Sequence, residues 1–205
     1  MNSLHSLSLL LLLTASAVVS AQSVTDGSFE NTPEAGWEYA PIGTAWTYTY
    51  PSGLAMGSTP WHDVAQDGNQ YAFIQSASNV AGGISGSITG LTTGQAYDLQ
   101  FYLGSRGGYV IDPLDVSIGG ATIATNVAPA DDRLGTGWTK FDLYFVAPSS
   151  STSVGFMGSV PGYGQDLNTA IDNITIQSTP EPASYAVLGL GALGLVIRRR
   201  AAKRS

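Results

Sequence analysis

Few residues in this chain can do covalent chemistry. It has no Cys, which removes thiolate nucleophiles, thiolate metal sites, iron–sulfur clusters and disulfides together. Of its two His, His5 lies in an apolar leader, so His62 is the one imidazole left for the rest of the chain. Asp63 follows it, but adjacent residues on an extended chain point apart, so the two do not make part of a Ser-His-Asp triad. No Gly-x-Ser-x-Gly elbow is present. One His is too few for the usual zinc site. Carboxylates are plentiful: residues 22–178 hold fourteen Asp and Glu against three Arg and Lys, a net charge of −11. A facing pair of the glycosidase kind stays open, because sequence does not set two acids across a cleft. The same charge repels polyanions, so no nucleic-acid partner is expected.

Binding chemistry is better supplied. Aromatic rings stack on pyranose faces, while Arg, amides and carboxylates bond hydroxyls. Trp61, Tyr109 and Tyr163 stand in Gly- or Pro-rich stretches, and Arg106 lies within Gly104-Ser105-Arg106-Gly107-Gly108. Tyr102 and Tyr144 alternate with apolar neighbours, on the faces that also carry Gln100 and Asp142. Trp46, Tyr48 and Tyr50 share the parity of one further segment. The candidate sugar site is therefore Trp61, Arg106 and Tyr109 in loops, with Tyr102 and Tyr144 on a strand face. The loops are preferred, because a Gly-rich run lets a ligand approach backbone. On this reading Trp61→Ala weakens binding and leaves the melt nearly unchanged. The plain alternative is that these aromatics fill a core or clamp loops, and that Arg106 pairs with an acid. Trp37 and Trp138 read as core or edge packing, and His62 as a loop residue.

Strands must position these groups. Tyr97, Leu99, Phe101 and Leu103 alternate with Asp98, Gln100, Tyr102 and Gly104. Leu114–Ile118, Phe141–Phe145 and Ile174–Ile176 alternate likewise, the period of half-buried strands. Trp46–Tyr50, Tyr71–Gln75, Ile84–Ile88, Gly120–Ala124 and Ser153–Met157 are further candidates. Gly and Ser clusters separate them. Some nine strands, no helical periodicity, no repeat and no linker predict one all-β domain over 22–178, an antiparallel two-sheet sandwich. Asp172 shares parity with Ile174 and Ile176, so it is predicted to point into the core. A carboxylate there needs a partner or a metal, and Ca2+ takes such oxygens. Asp26, Asp67 and Asp166 are further donors; the alternative is that these acids are solvated or cap turns.

This body resembles carbohydrate-binding-module-like jelly rolls. The resemblance rests on Asp26-Gly27-Ser28-Phe29-Glu30, Gly36-Trp37, Gln66-Asp67-Gly68-Asn69-Gln70-Tyr71, Gly90–Tyr97, Trp138-Thr139-Lys140-Phe141 and Ile171-Asp172-Asn173-Ile174. It implies the galactose-binding-like jelly roll, a fold that hosts sugar binders, adhesion modules and plain structural domains. It also implies a structural calcium shared by an early Glu and a late Asp, here Glu30 and Asp172.

The two ends read as addresses. Leu7–Leu13 is apolar but for Ser8, too short to span a bilayer, and Val19-Ser20-Ala21 fits a small-x-small cleavage site, so residues 1–21 are expected to be a signal peptide. Residues 179–205 run Pro180-Glu181-Pro182, an uncharged apolar stretch 183–197, then Arg198-Arg199-Arg200 and a basic end. Fifteen residues make about 22 Å of helix, short of a ~30 Å hydrocarbon core unless flanking arginines snorkel. Such a helix predicts a transient inner-membrane anchor with 198–205 in the cytoplasm. Gly189-Leu190-Gly191-Ala192-Leu193-Gly194 matches G-x-G-x-x-G, but it sits inside the apolar stretch with no strand before it, so it is not a dinucleotide site. The order of Pro-Glu-Pro, short helix and Arg cluster resembles the PEP-CTERM sorting signal of Gram-negative bacteria. That resemblance implies processing by an exosortase and delivery to the cell surface or matrix. The reading is a non-catalytic exported protein that binds exopolysaccharide. A purely structural matrix or adhesion protein is the alternative, and a glycosidase-like enzyme a third.

Overall fold

The computed structural model describes residues 21–179, apart from Glu34, Arg133 and residues 160–163. The leader to Ser20, Tyr163, the motif Pro180, Glu181 and Pro182, and the helix expected over 183–197 lie outside the described residues.

The chain folds as two sheets. The first contains β1 (Ser23–Val24), β3 (Thr47–Thr49), β6 (Gly83–Thr89), β9 (Leu114–Ile118), β10 (Ala121–Val127) and β12 (Ser151–Met157). Its order is β1-β6-β12-β9-β10, with β3 also on β6. The second contains β2 (Trp37–Tyr39), β4 (Gly53–Met56), β5 (Gln70–Ala77), β7 (Ala96–Ser105), β8 (Val110–Ile111), β11 (Trp138–Val146) and β13 (Asp166–Ser178). Its order is β11-β7-β13-β5-β4-β2. All pairings are antiparallel except the short β8, which runs parallel to β13. The all-β antiparallel sandwich read from the sequence is the architecture observed.

Alternation builds the core. On β7, Tyr97, Leu99, Phe101 and Leu103 are buried, while Asp98, Gln100 and Tyr102 face the other way. Facing them from the first sheet are Ile84, Ile88, Leu114, Val116, Val154 and Phe156, in one continuous cluster. Each such side chain contributes roughly 1.5–3 kcal/mol on burial.

The second sheet also has an occupied outer face. Ala55, Tyr71, Phe73 and Ala170 form a second apolar cluster there, roofed by the segment 57–69 through Trp61 and Ala65. Gly104 makes that possible: a Cβ on it would meet the His62 ring at 2.7 Å and Trp138 at 3.3 Å.

Two predictions of facing fail. Asp172 does not point into the core. Ile171 pairs with inward Leu103 and Asp172 with outward Tyr102, and the register then shifts before Thr175. The shift is a β-bulge at Asn173, whose φ is 49°, and it restores Ile174 and Ile176 to the core while leaving Asp172 outside. Trp46 and Tyr50 do not share an environment either. Trp46 is buried and donates its indole N–H to the Asp26 carbonyl at 2.9 Å, whereas Tyr50 is 63% exposed past the end of β3.

Candidate ligand site on the outer face of the second sheet

The segment 57–69 and the loop after β7 build a column of flat groups on this outer face. Trp61 stacks on Phe73 with centroids 4.0 Å apart and planes 5° from parallel. The Arg106 guanidinium carbon lies 4.1 Å over the Trp61 ring and 3.5 Å from the Tyr109 ring centroid. The order is thus Phe73, Trp61, Arg106, Tyr109. Arg106 is held further by its Nε–H, which donates to the Pro60 carbonyl at 2.8 Å. The turn Arg106–Tyr109 closes with Tyr109 N–H donating to the Arg106 carbonyl.

The structure thus brings Trp61, Arg106 and Tyr109 together, but corrects the role of Trp61. It is only 3% exposed, with one face on Phe73 and the other under Arg106, so no sugar can stack on it. It is the base of the site. The exposed aromatic surface belongs to Tyr109, 43% exposed, and to Tyr50. Tyr39 joins them: its ring stands edge-on to Trp61 and Phe73 and 5.6 Å from Tyr50. Tyr39 Oη donates to Gln75 Oε1 at 2.9 Å, and Gln75 Nε2 donates to Asp166 Oδ1 at 2.6 Å. Burial raises the Tyr39 phenol above its ordinary value, so it remains a donor at neutral pH.

Polar capacity is left over here. Asn168 is fully buried, next to the Thr169–Ser105 pair and opposite Gln75, and neither its amide oxygen nor its amide nitrogen has a partner. The Trp61 indole N–H is also buried and unpartnered. Unmatched buried donors and acceptors cost about 1–3 kcal/mol each, so such a set calls for water or a ligand. Sequence reasoning missed Tyr39, Gln75 and Asn168. The signal present was the alternation of Tyr71, Phe73 and Gln75 on a strand whose other face is apolar.

Tyr102 and Tyr144 lie elsewhere on the same sheet. Tyr102 pairs with Lys140 and Tyr144 with Asp98, four residues further along, or about 13 Å. Tyr144 is 62% exposed, and Lys140 bonds Asp142 at 3.3 Å between them. The two tyrosines do not converge.

The candidate calcium residues Glu30 and Asp172 hold the same loop, residues 66–70, from two sides of the chain order. Asp172 Oδ2 accepts from Gln66 N–H at 2.8 Å and Asp67 N–H at 2.9 Å, and Oδ1 accepts from Asn173 N–H at 2.6 Å. Glu30 Oε1 accepts from Asn69 and Gln70 N–H, both at 2.8 Å. Gly68, at φ +70°, lets the loop lie against the Glu30 carboxylate. Burial raises Asp172 to about 7, against the pull of its three N–H donors. No cationic side chain lies within ion-pair distance of either acid among the described residues. No three acidic or imidazole groups gather in metal-holding geometry there either, so an ion would need backbone carbonyls to complete its shell. Both carboxylates accept N–H groups of the loop 66–70, and neither has a counter-charge among the described residues. Asp166 is no part of it, being six residues, about 20 Å, up β13 from Asp172.

His62 is structural in its contacts. It is 2% exposed, with Nδ1 2.9 Å from the Val64 carbonyl and Nε2 3.3 Å from the Gly137 carbonyl, and its ring packs 4.4 Å from Trp138. Burial lowers its affinity for a proton.

The site lies at one end of the molecule. β13 starts at Asp166 beside it and runs thirteen residues to Ser178, about 40 Å away, where Thr179 N–H bonds the Ala96 carbonyl.

Residues 178–200 match the PEP-CTERM protein-sorting motif. The motif marks an exported, sorted surface protein and implies exosortase processing. No curated protein sequence matches the chain. Among solved structures, the K1 adhesin domain of Lys-gingipain from Porphyromonas gingivalis W83 is similar, at 11% identity and TM-score 0.54, over 78% of this chain and 100% of that one. The K2 adhesin domain of the same protein gives 14%, 0.51, 78% and 99%. An arabinose-bound α-L-arabinofuranosidase, MgGH51, gives 15%, 0.50, 77% and 26%. At these identities the likeness is one of fold, and it is the jelly roll that the sequence resemblance implied.

Proposed function

We propose that this chain is a surface-displayed, non-catalytic glycan-binding protein that engages exopolysaccharide through the Tyr50–Arg106–Tyr109 face. The observation that carries the reading is the set of unpartnered polar atoms, Asn168 and Trp61 Nε1, on a sheet face that also carries exposed Tyr50 and Tyr109. Stacking on the tyrosines, with sugar hydroxyls accepting from Arg106 and donating to Asp166, are the two halves of sugar recognition. Placement supports it. The face lies at the opposite end of β13 from Ser178, about 40 Å from the start of the sorting motif. The similar solved domains support it in kind: two are adhesin domains, and the third structure is of an enzyme with a sugar bound. In the same reading Glu30 and Asp172 hold a structural Ca2+, which supplies the positive charge that their loop lacks.

The test is affinity electrophoresis of the full-length protein through gels containing different polysaccharides. At least one is expected to retard it, and Tyr109→Ala to weaken that binding about tenfold. Retardation by none of a broad panel, or retardation indifferent to Tyr109, overturns the reading in favour of a purely structural matrix protein.

A further inference from the structure

We infer, resting on the glycan reading of this face, that Arg106 receives a carboxylate: the ligand is a sparsely charged acidic polysaccharide, one uronic-acid residue among neutral sugars. The first reason is what Arg106 lacks. It is one of three basic residues among fourteen acids in 22–178. The ion pair formed among the described residues is nevertheless Lys140–Asp142, and no acid meets Arg106. Among the described residues only its Nε has a protein acceptor, so the two terminal amino groups keep donors for a ligand. The second reason is its preorganisation. Sandwiched between Trp61 and Tyr109, the guanidinium plane is fixed before any ligand arrives, with its faces covered and the residue half-buried. A fixed planar fork matches a carboxylate in two parallel hydrogen bonds, and little side-chain entropy is lost on binding. A stacked Arg that served only as filler would not need its donors left bare.

Charge then limits the ligand. The body carries a net −11, which repels a densely charged polymer before contact. One carboxylate with neutral neighbours escapes that repulsion, and its neighbours can stack on Tyr109 and Tyr50, both exposed.

Three probes test this with the full-length protein in titration calorimetry: glucuronoxylan, the same polymer with its carboxyl groups reduced to alcohols, and polygalacturonate. Glucuronoxylan is expected to bind at least tenfold tighter than its reduced form, and polygalacturonate more weakly at low salt. R106Q should remove the preference for the carboxylated polymer, and R106K should not restore it, since an ammonium lacks the fork. The carboxyl-reduced polymer serves as a control that does not depend on any variant folding. Equal binding of both xylans, still weakened by Y109A, overturns the carboxylate and leaves the glycan reading standing. Binding to none of the three, with none to other polysaccharides, overturns both.

Discussion

The two faces of the second sheet are held by different means. The inner face is a continuous apolar layer against the first sheet, with Leu99, Phe101, Leu103 and Ile171 fully buried. The outer face is covered by a loop pinned at separate points: Asp172 and Glu30 take its N–H groups, His62 sits between two carbonyls, and Arg106 lies over Trp61. Apolar packing satisfies itself and leaves nothing over. A loop fastened by polar contacts leaves atoms unmatched, and these are where a ligand can act. The proposed ligand face is therefore the outer one, and the inner face supplies stability.

The largest expected effects compare the two faces directly. Phe101→Ala and Trp61→Ala should each cost about 3–5 kcal/mol in denaturant unfolding, because both truncate large buried rings. Only Trp61→Ala should also abolish glycan binding by the molecules that stay folded. A Trp61→Ala protein with an unchanged melt would mean that the column is not a packed unit.

The next effect is pH dependence in metal-free protein. Asp172 titrates at about 7 when folded, above its ordinary 3.8. Between those values the native state holds a proton that the unfolded chain has released. Stability is therefore expected to fall as pH rises from about 4 to about 7, by a limit on the order of 4 kcal/mol. Added Ca2+ should flatten the curve by favouring the charged carboxylate. Chelator melts that do not change across this window would remove Asp172 as a buried, unpaired acid.

A smaller effect sharpens the role of the roof. Gly104→Ala inserts a methyl against His62 and Trp138 and should cost about 1–3 kcal/mol. Added proteolytic nicking within 57–69, with the sandwich intact, would show that the loop alone was lifted. Smallest in stability is Tyr109→Ala, within about 0.5 kcal/mol on a thermal melt, although its effect on binding is tenfold.

The same division explains what could be read in advance. Strands such as β7 and β9 were legible because one side packs and the other does not, so alternation survives. β4 was not, because Gly53, Leu54 and Ala55 are buried on both faces and show no alternation. Asp172 was misplaced because parity counting assumes a regular strand, and one bulge at Asn173 inverts it. Trp61 looked exposed because Pro, Gly and Ser around it announce a loop, and local composition does not tell that the loop folds back on Phe73. The sorting motif was legible in full because it is linear: its meaning needs no tertiary contact.

The central claim is that ligand meets the loop end of the outer face and not its bare strands. Hydrogen–deuterium exchange with and without a bound polysaccharide tests it most directly. Protection is expected to rise across Ser105–Ile111 and Thr59–Asp63, with Lys140–Val146 unchanged. Protection gained at Lys140–Val146 around Tyr144, with none at the Arg106 turn, would contradict the account.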